Sequence, residues 1–358
     1  MQKWARYYSS QGHDILLLSS RLDQLPGVKV VQLHGACFGK MSYVLSIPWA
    51  KRVVRSFGPD ILHGHYITSY GGMTGRLGLR PFILSAWGSD VLSTLSGKGM
   101  GPAFMRWFDA PALRHAAYVT VESPALIETL AKLGVSPERI EVIPWGVDLD
   151  VFKPGYLAEA TDFRSALSIP FYSKVVLSIR SVKPVYNTLL ILSSFIELRH
   201  KFPDAVLVLL AGTRDSDYYD EILAFITSEG LAPHVRLIDY ALTPRQMATI
   251  INMSDAIVSI PQWDSLSVSV LEAAACCRPL VLSHIPANEE LVRSGIKADL
   301  VDFSTLSISA TIERILLGAS TSGLEQNRLL IQRKYSWECS AKRMTELYAR
   351  MINDGGRR

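Results

Sequence analysis

Cysteine is scarce in this chain of 358 residues: Cys37, Cys276, Cys277 and Cys339 are the four, with no CxxC spacing and no paired framework. That excludes a disulfide scaffold and gives no support to a cysteine metal centre. Adjacent Cys276 and Cys277 on an expected helix read as small buried residues. A reducing, cytoplasmic compartment follows as the default. Long apolar runs are also missing. The run Ala205 to Ala211 has the length of a strand, well short of the ~18–20 residues that cross a bilayer. No cationic start precedes an apolar core, so a secretory leader is not expected. Repeats and low-complexity tracts are absent too, which removes solenoids and disordered linkers from consideration.

What is present describes ordered globular protein, with 48% hydrophobic and 20% charged residues. The length suits two domains rather than one. Charge is unevenly placed. Residues 1–120 hold 13 Lys+Arg against 5 Asp+Glu, and the remainder 24 against 28. A basic first part fits an anionic partner such as a phosphate, a lipid headgroup or a membrane surface. A solvated face without a partner fits equally well.

The pattern along the chain alternates. Met1 to Gln11 has helical spacing with Trp4, Tyr7 and Tyr8 on one side and Gly12 as a C-cap; His13 to Ser19 then reads as a strand. Tyr43 to Phe57 reads as a helix carrying Trp49 with Lys51, Arg52 and Arg55. Such a helix either lies in a membrane interface or packs on a sheet with its charges in water. Strands ending in His65-Tyr66 and in Trp87-Gly88-Ser89-Asp90 follow. Ligands of open parallel sheets sit beyond the carboxyl ends of strands, so His65, Tyr66, Trp87, Gly88, Ser89 and Asp90 are candidates for a ligand site. A histidine placed like His65 is also compatible with a purely structural hydrogen bond. Gly97 to Pro102 reads as a loop before a helix from Ala103 to His115.

From residue 174 onward strands and helices alternate with short connections, which predicts a doubly wound parallel sheet. The expected strands are 174–179, 205–210, 235–239, 255–260 and 279–283. Ser178-Ile-Arg-Ser-Val-Lys-Pro places Arg180 and Lys183 at the end of the first, where a phosphate would need cations; a solvated loop is the plain alternative. Asp215 and Asp217, after an expected Ala211-Gly212 turn, read as charges at a helix N-terminus, and no metal is expected. The stretch Ser259 to Cys277 reads as a strand, a polar loop and a helix beginning near Ser267, with Asp264 and Glu272 bracketing the turn. Free N–H groups and the helix dipole there suit an anionic or polyhydroxylated ligand. A simple capped, buried helix would give the same pattern.

Asp264-x7-Glu272, followed by Ala-Ala-Ala-Cys-Cys-Arg-Pro-Leu-Val, resembles the Glu-x7-Glu signature of retaining, nucleotide-sugar-dependent glycosyltransferases of the GT-B fold, family GT4. The phrase Pro144-Trp145-Gly146-Val147-Asp148 is similar to that family's interdomain hinge. The resemblance implies two Rossmann-like doubly wound domains facing a cleft. Residues 1–148 would form an acceptor-side domain lacking its first strand, with a C-terminal helix at 340–358 packing back on it. Residues 149–339 would bind the nucleotide sugar.

It further implies that Glu272 holds the ribose, Asp264 touches the donor sugar, and Arg180 and Lys183 neutralise the diphosphate. Asp239 and Tyr240 would lie at the base, and Ser265, Leu266 and Ser267 in the donor loop. The donor would be a UDP- or GDP-sugar, with no cofactor, and the acceptor a glycan or lipid-linked molecule used in cell-surface polysaccharide or glycolipid synthesis. Departures are visible: Asp for the first Glu, Ser265-Leu266-Ser267 for Gly-Phe-Gly, Trp87 for a histidine, and Lys183 closer to Arg180 than usual. An inactive GT-B-like binding or scaffold subunit is the alternative that these departures favour.

Overall fold

The computed structural model describes residues 2–20, 24–33, 41–88, 90–91, 100–319 and 322–355. They form two compact units, residues 1–144 with 341–358, and residues 145–340.

In the first unit a helix, Gln2–Ser10, buries Trp4, Ala5 and Tyr8 and ends before Gly12, whose φ of 86° is a left-handed setting that glycine adopts without strain. β1 (Ile15–Ser19) and β2 (Val28–Gln32) pair in parallel, Ile15 opposite Val28. They make a sheet of their own. A second parallel sheet takes β3 (Leu62–His65), β4 (Phe82–Ser85), β5 (Tyr118–Val121) and β6 (Ile140–Val142) in chain order. Among the described residues no strand joins β1 to β3.

The Met41–Phe57 helix buries Ser42, Ser46, Ala50 and Val54, one residue every four, against Leu16, Leu18 and Met73. Its outward face runs from Met41 and Leu45 to Arg52 and Arg55. The helix expected from Ala103 begins three residues earlier, at Met100, so residues 100–102 are helical rather than loop. The helix Trp337–Gly355 closes the unit. Its Tyr348 ring lies 5.2 Å from that of Tyr8, and Arg350 pairs with Glu141 at 2.6 Å.

The second unit carries six parallel strands, β7 (Val175–Val182), β8 (Val206–Arg214), β9 (Val235–Ile238), β10 (Ala256–Ser259), β11 (Leu280–Ser283) and β12 (Asp299–Val301). Their order is β12-β11-β10-β7-β8-β9. Side chains alternate between two cores. Val175, Leu177, Val206 and Val208 face one, Val176, Leu207 and Leu209 the other, and both are covered by helices. Such a doubly covered sheet explains why its strands read as nearly continuous apolar runs.

Two expectations are corrected here. Ala211-Gly212 is not a turn, because β8 continues through it to Arg214. β12 was not anticipated; three residues beginning with Asp299 carry too little apolar pattern to stand out.

Candidate functional site

Strand order places the site in the second unit. The chain goes from β7 to β8 on one side and later returns to lay β10 against the other side of β7. The carboxyl ends of β7 and β10 therefore flank a switch point, where parallel sheets leave a crevice. Arg180 belongs to β7 and Asp264 follows β10.

Arg180 is not simply the residue after a strand. Ser178 pairs with Leu209 and Ser181 with Leu210, so Ile179 and Arg180 have no ladder partners on β8. A bulge of this kind re-aims a side chain. The Arg180 guanidinium meets three partners. Nη1 lies 2.9 Å from Asp264 Oδ2, an ion pair lacking hydrogen-bond alignment, with both side chains about one-sixth exposed. Nη1 also donates to Ser267 Oγ. Nη2 donates to the Tyr186 hydroxyl at 3.0 Å, and the guanidinium carbon stands 4.4 Å from that ring's centroid.

Ser267 is the N-cap of the Val268–Ala275 helix, accepting from the Val270 N–H. Asp264 Oδ1 accepts from the Ser265 N–H at 2.9 Å. Ser265 is buried, and Leu266 points into the apolar core, leaving only its backbone for a ligand. Glu272 occupies the second turn of the helix, partly exposed between buried Leu271 and Ala273.

Lys183 stands apart. It opens a short turn, Pro184–Tyr186, and among the described residues its amine has no hydrogen bond or ion pair. Tyr186 was missed from sequence, where a tyrosine six residues beyond an arginine carries no signal. Asp215, of the Asp-x-Asp pair, caps the helix Ser216–Ser228 through the Tyr218 N–H.

Asp239 and Tyr240 are exposed just past β9. Gly212 lies under them. A Cβ there would overlap the Tyr240 carbonyl and come within 3.1 Å of the Ala241 nitrogen. Gly212→Ala is therefore expected to displace the Tyr240 backbone and to lower stability by about 1–3 kcal/mol. Chemical denaturation and nucleotide titration of that variant check both effects.

The acceptor-side candidates cluster in the first unit. His65 ends β3, with its ring centroid 6.3 Å from that of Trp87, and Tyr66 lies 5.6 Å from Trp87. Tyr66 has φ 76°, a costly setting for a non-glycine residue. Gly88, at φ 83°, turns the chain after β4, and Ser89 falls outside the described residues. Asp90 has a structural task. Its buried carboxylate accepts from the N–H groups of Ile67 (2.6 Å), Trp87 (2.8 Å) and Val91 (3.1 Å). Burial raises its pKa against those bonds.

His63 was passed over, although the His-x-His spacing on a strand puts both rings on one face. The two rings stack at 4.0 Å. His63 Nδ1 contacts the Tyr348 hydroxyl at 2.5 Å, and Nε2 the Ser85 hydroxyl at 2.7 Å. Burial pushes the His63 imidazole down to about 3. In the unfolded chain it takes up a proton near pH 6.5. Between these values the unfolded state binds a proton that the native state refuses, so stability present above pH 6.5 is lost as pH falls toward 3. At pH 5 this ring alone costs about 2 kcal/mol. Thermal unfolding at pH 7.5 and 5.0 checks it, and His63→Gln is expected to narrow the difference.

Comparison with known proteins accords with this geometry. Residues 1–151 match the family described as Glycosyltransferase Family 4, and residues 160–337 the one described as Glycosyl transferases group 1. The chain belongs to the GT4-type glycosyltransferases. A D-inositol 3-phosphate glycosyltransferase of Mycobacterium tuberculosis is 27% identical over 310 residues, 82% of this chain and 62% of that protein. The chain thus spans 62% of the length of such curated relatives.

Among solved structures, a glycosyltransferase from Rickettsia africae superposes with a TM-score of 0.80 at 14% identity, covering 98% of this chain and 93% of the other. An Anabaena protein in complex with UDP and glucose gives 0.80 at 16% identity, covering 97% and 94%. At that identity the likeness concerns the fold, which is GT-B.

Proposed function

We propose that this GT4-type chain transfers a sugar from a UDP- or GDP-sugar to a hydroxyl of a glycan or lipid-linked acceptor, with retention at the anomeric carbon. One observation carries the reading: a bulge at the switch point aims Arg180 toward the N-terminus of the Val268–Ala275 helix, with Asp264 on the intervening loop. A guanidinium fork and free helix N–H groups suit a diphosphate. Glu272 would accept from the ribose hydroxyls and Asp264 from the sugar. Lys183, unpaired among the described residues, would swing to the phosphates. Asp239 and Tyr240 would flank the base, mainly through backbone atoms.

In the reaction the bond from the anomeric carbon to the diphosphate oxygen breaks, and the acceptor oxygen bonds to that carbon from the same face. The acceptor proton passes to the departing phosphate. Arg180 and the helix amides stabilise the leaving charge, so catalysis rests on positioning and electrostatics. No metal or other cofactor takes part in this scheme.

His65, Tyr66, Trp87 and Gly88 would receive the acceptor, with Asp90 holding their loop in shape. A phosphorylated polyol, such as the one naming the mycobacterial relatives, fits the basic character of residues 1–120. The face of Met41–Phe57, apolar at Met41 and Leu45 and basic at Arg52 and Arg55, would bring the chain to an anionic cytoplasmic membrane surface, consistent with a role in cell-surface glycan or glycolipid synthesis. No helix among the described residues is long and apolar enough to cross a membrane.

A thermal-shift titration with UDP, GDP and their sugar conjugates tests the donor site. A rise in Tm with one nucleotide, markedly smaller in Glu272→Ala, is expected. The rival reading, a binding subunit without activity, draws on the pairing of Arg180 with the chain's own Asp264. Failure of every nucleotide to shift Tm would favour it.

A further inference from the structure

We infer that Asp264 is an exchangeable counter-ion: it neutralises Arg180 before the donor arrives and yields the guanidinium to the diphosphate, thereby setting how much negative charge a ligand must bring. This rests on the donor-site reading above and adds a specificity rule to it.

The three partners of Arg180 are not equivalent. Ser267 and Tyr186 are neutral and rigidly placed. Ser267 is fixed as a helix cap. Tyr186 closes a turn tied down by the Gln262 N–H donating to the Val185 carbonyl at 2.8 Å and the Asn187 amide donating to the Ile260 carbonyl at 2.9 Å. These two contacts hold the plane of the guanidinium. Among the described residues Asp264 is the only charged partner, and it sits on the loop between β10 and the Val268–Ala275 helix rather than on either element.

A diphosphate approaching Arg180 meets the Asp264 carboxylate at close range. With both side chains only about one-sixth exposed, solvent screens that repulsion weakly. The carboxylate must withdraw, and the energy of doing so is recovered only by a ligand that replaces its charge. A nucleoside cannot do this, a monophosphate does it in part, and a diphosphate does it fully. On withdrawal, Asp264 becomes an acceptor for hydroxyls of the sugar attached to that same diphosphate. Departure from Arg180 and arrival at the sugar are then one movement.

Calorimetric titrations of the full chain and of Asp264→Asn with uridine, UMP and UDP, and in parallel with guanosine, GMP and GDP, test the exchange. Asp264→Asn keeps the shape and removes the charge. It is expected to bind the diphosphate about tenfold more tightly than the parent, the monophosphate less so, and the nucleoside unchanged. Tyr186→Leu, which leaves Asp264 in place but frees the guanidinium, is expected to weaken diphosphate binding without affecting the nucleoside. Asp264→Ser serves if the asparagine variant fails to fold. Diphosphate binding to the neutral variant no tighter than to the parent overturns the exchange while leaving the donor site standing. Absence of nucleoside diphosphate binding in parent and variants alike overturns the donor site itself, and the exchange with it.

Discussion

Arg180→Ala is expected to lower kcat by about 10²–10³-fold with the fold intact, the scale found when one preorganised donor to developing negative charge is removed. The guanidinium is carried on a bulge of β7 and held by Tyr186 and Ser267, so it is already placed where charge would grow on the departing phosphate. Truncation leaves the partly buried Asp264 without its cation, and a modest fall in Tm is expected beside the loss of turnover. Arg180→Lys separates the two effects. It restores a positive charge but not the two-pronged donor, so Tm should recover more than kcat. Steady-state kinetics on all three proteins decide the matter. Unchanged turnover in Arg180→Ala would remove this residue from the reaction.

Glu272→Ala is the second large effect, expected in KM. Glu272 is the partly exposed carboxylate of a helix whose neighbours Val270, Leu271, Ala273, Ala274 and Ala275 are all buried. Under the proposed reading this carboxylate would accept from the ribose hydroxyls of the donor. Its removal forfeits about 1.5–3 kcal/mol of charge-assisted hydrogen bonding, a rise of roughly 10- to 100-fold in KM for the donor. Glu272→Gln retains one acceptor oxygen and should fall between. Initial rates across a donor series measure it. A fall in kcat with KM unmoved would show that Glu272 acts on the transition state rather than on the ribose.

The second unit was more legible than the first for a physical reason. Its strands are buried on both faces and give runs such as Ala205-Val-Leu-Val-Leu-Leu210, which admit one interpretation. Local signals are equally plain there: Thr243-Pro-Arg-Gln246 has the spacing of a capping box, and the Thr243 and Gln246 side chains do cap the helix Pro244–Met253. The site was legible in its residue types and not in its contacts. Arg180 and Asp264 were both singled out, but nothing in a linear chain says that a bulge turns one toward the other.

Tyr186 and His63 escaped because each draws its meaning from a contact that spacing does not announce: Tyr186 from its ring under the guanidinium of nearby Arg180, and His63 from a part-buried hydrogen bond to Tyr348, far along the chain. Asp90 shows the opposite fault. A carboxylate at a strand end looks like a ligand group, yet three backbone N–H groups occupy it.

The first unit is completed by residues from both extremes of the chain. Tyr8 meets Thr345 at 3.3 Å, His63 meets Tyr348, and Glu141 meets Arg350. On a ribosome those residues emerge in a fixed order. The unit begun first must wait for the last helix, while residues 145–340 are delivered in one piece in between. At ordinary elongation speeds that interval is about 10–40 s, long compared with the folding of a helix-covered sheet. For that time the faces that Tyr348 and Thr345 will cover are open, and a nascent chain stalled before residue 341 would display them to chaperones and proteases. The second unit would by then be folded, its Arg180 already paired with Asp264.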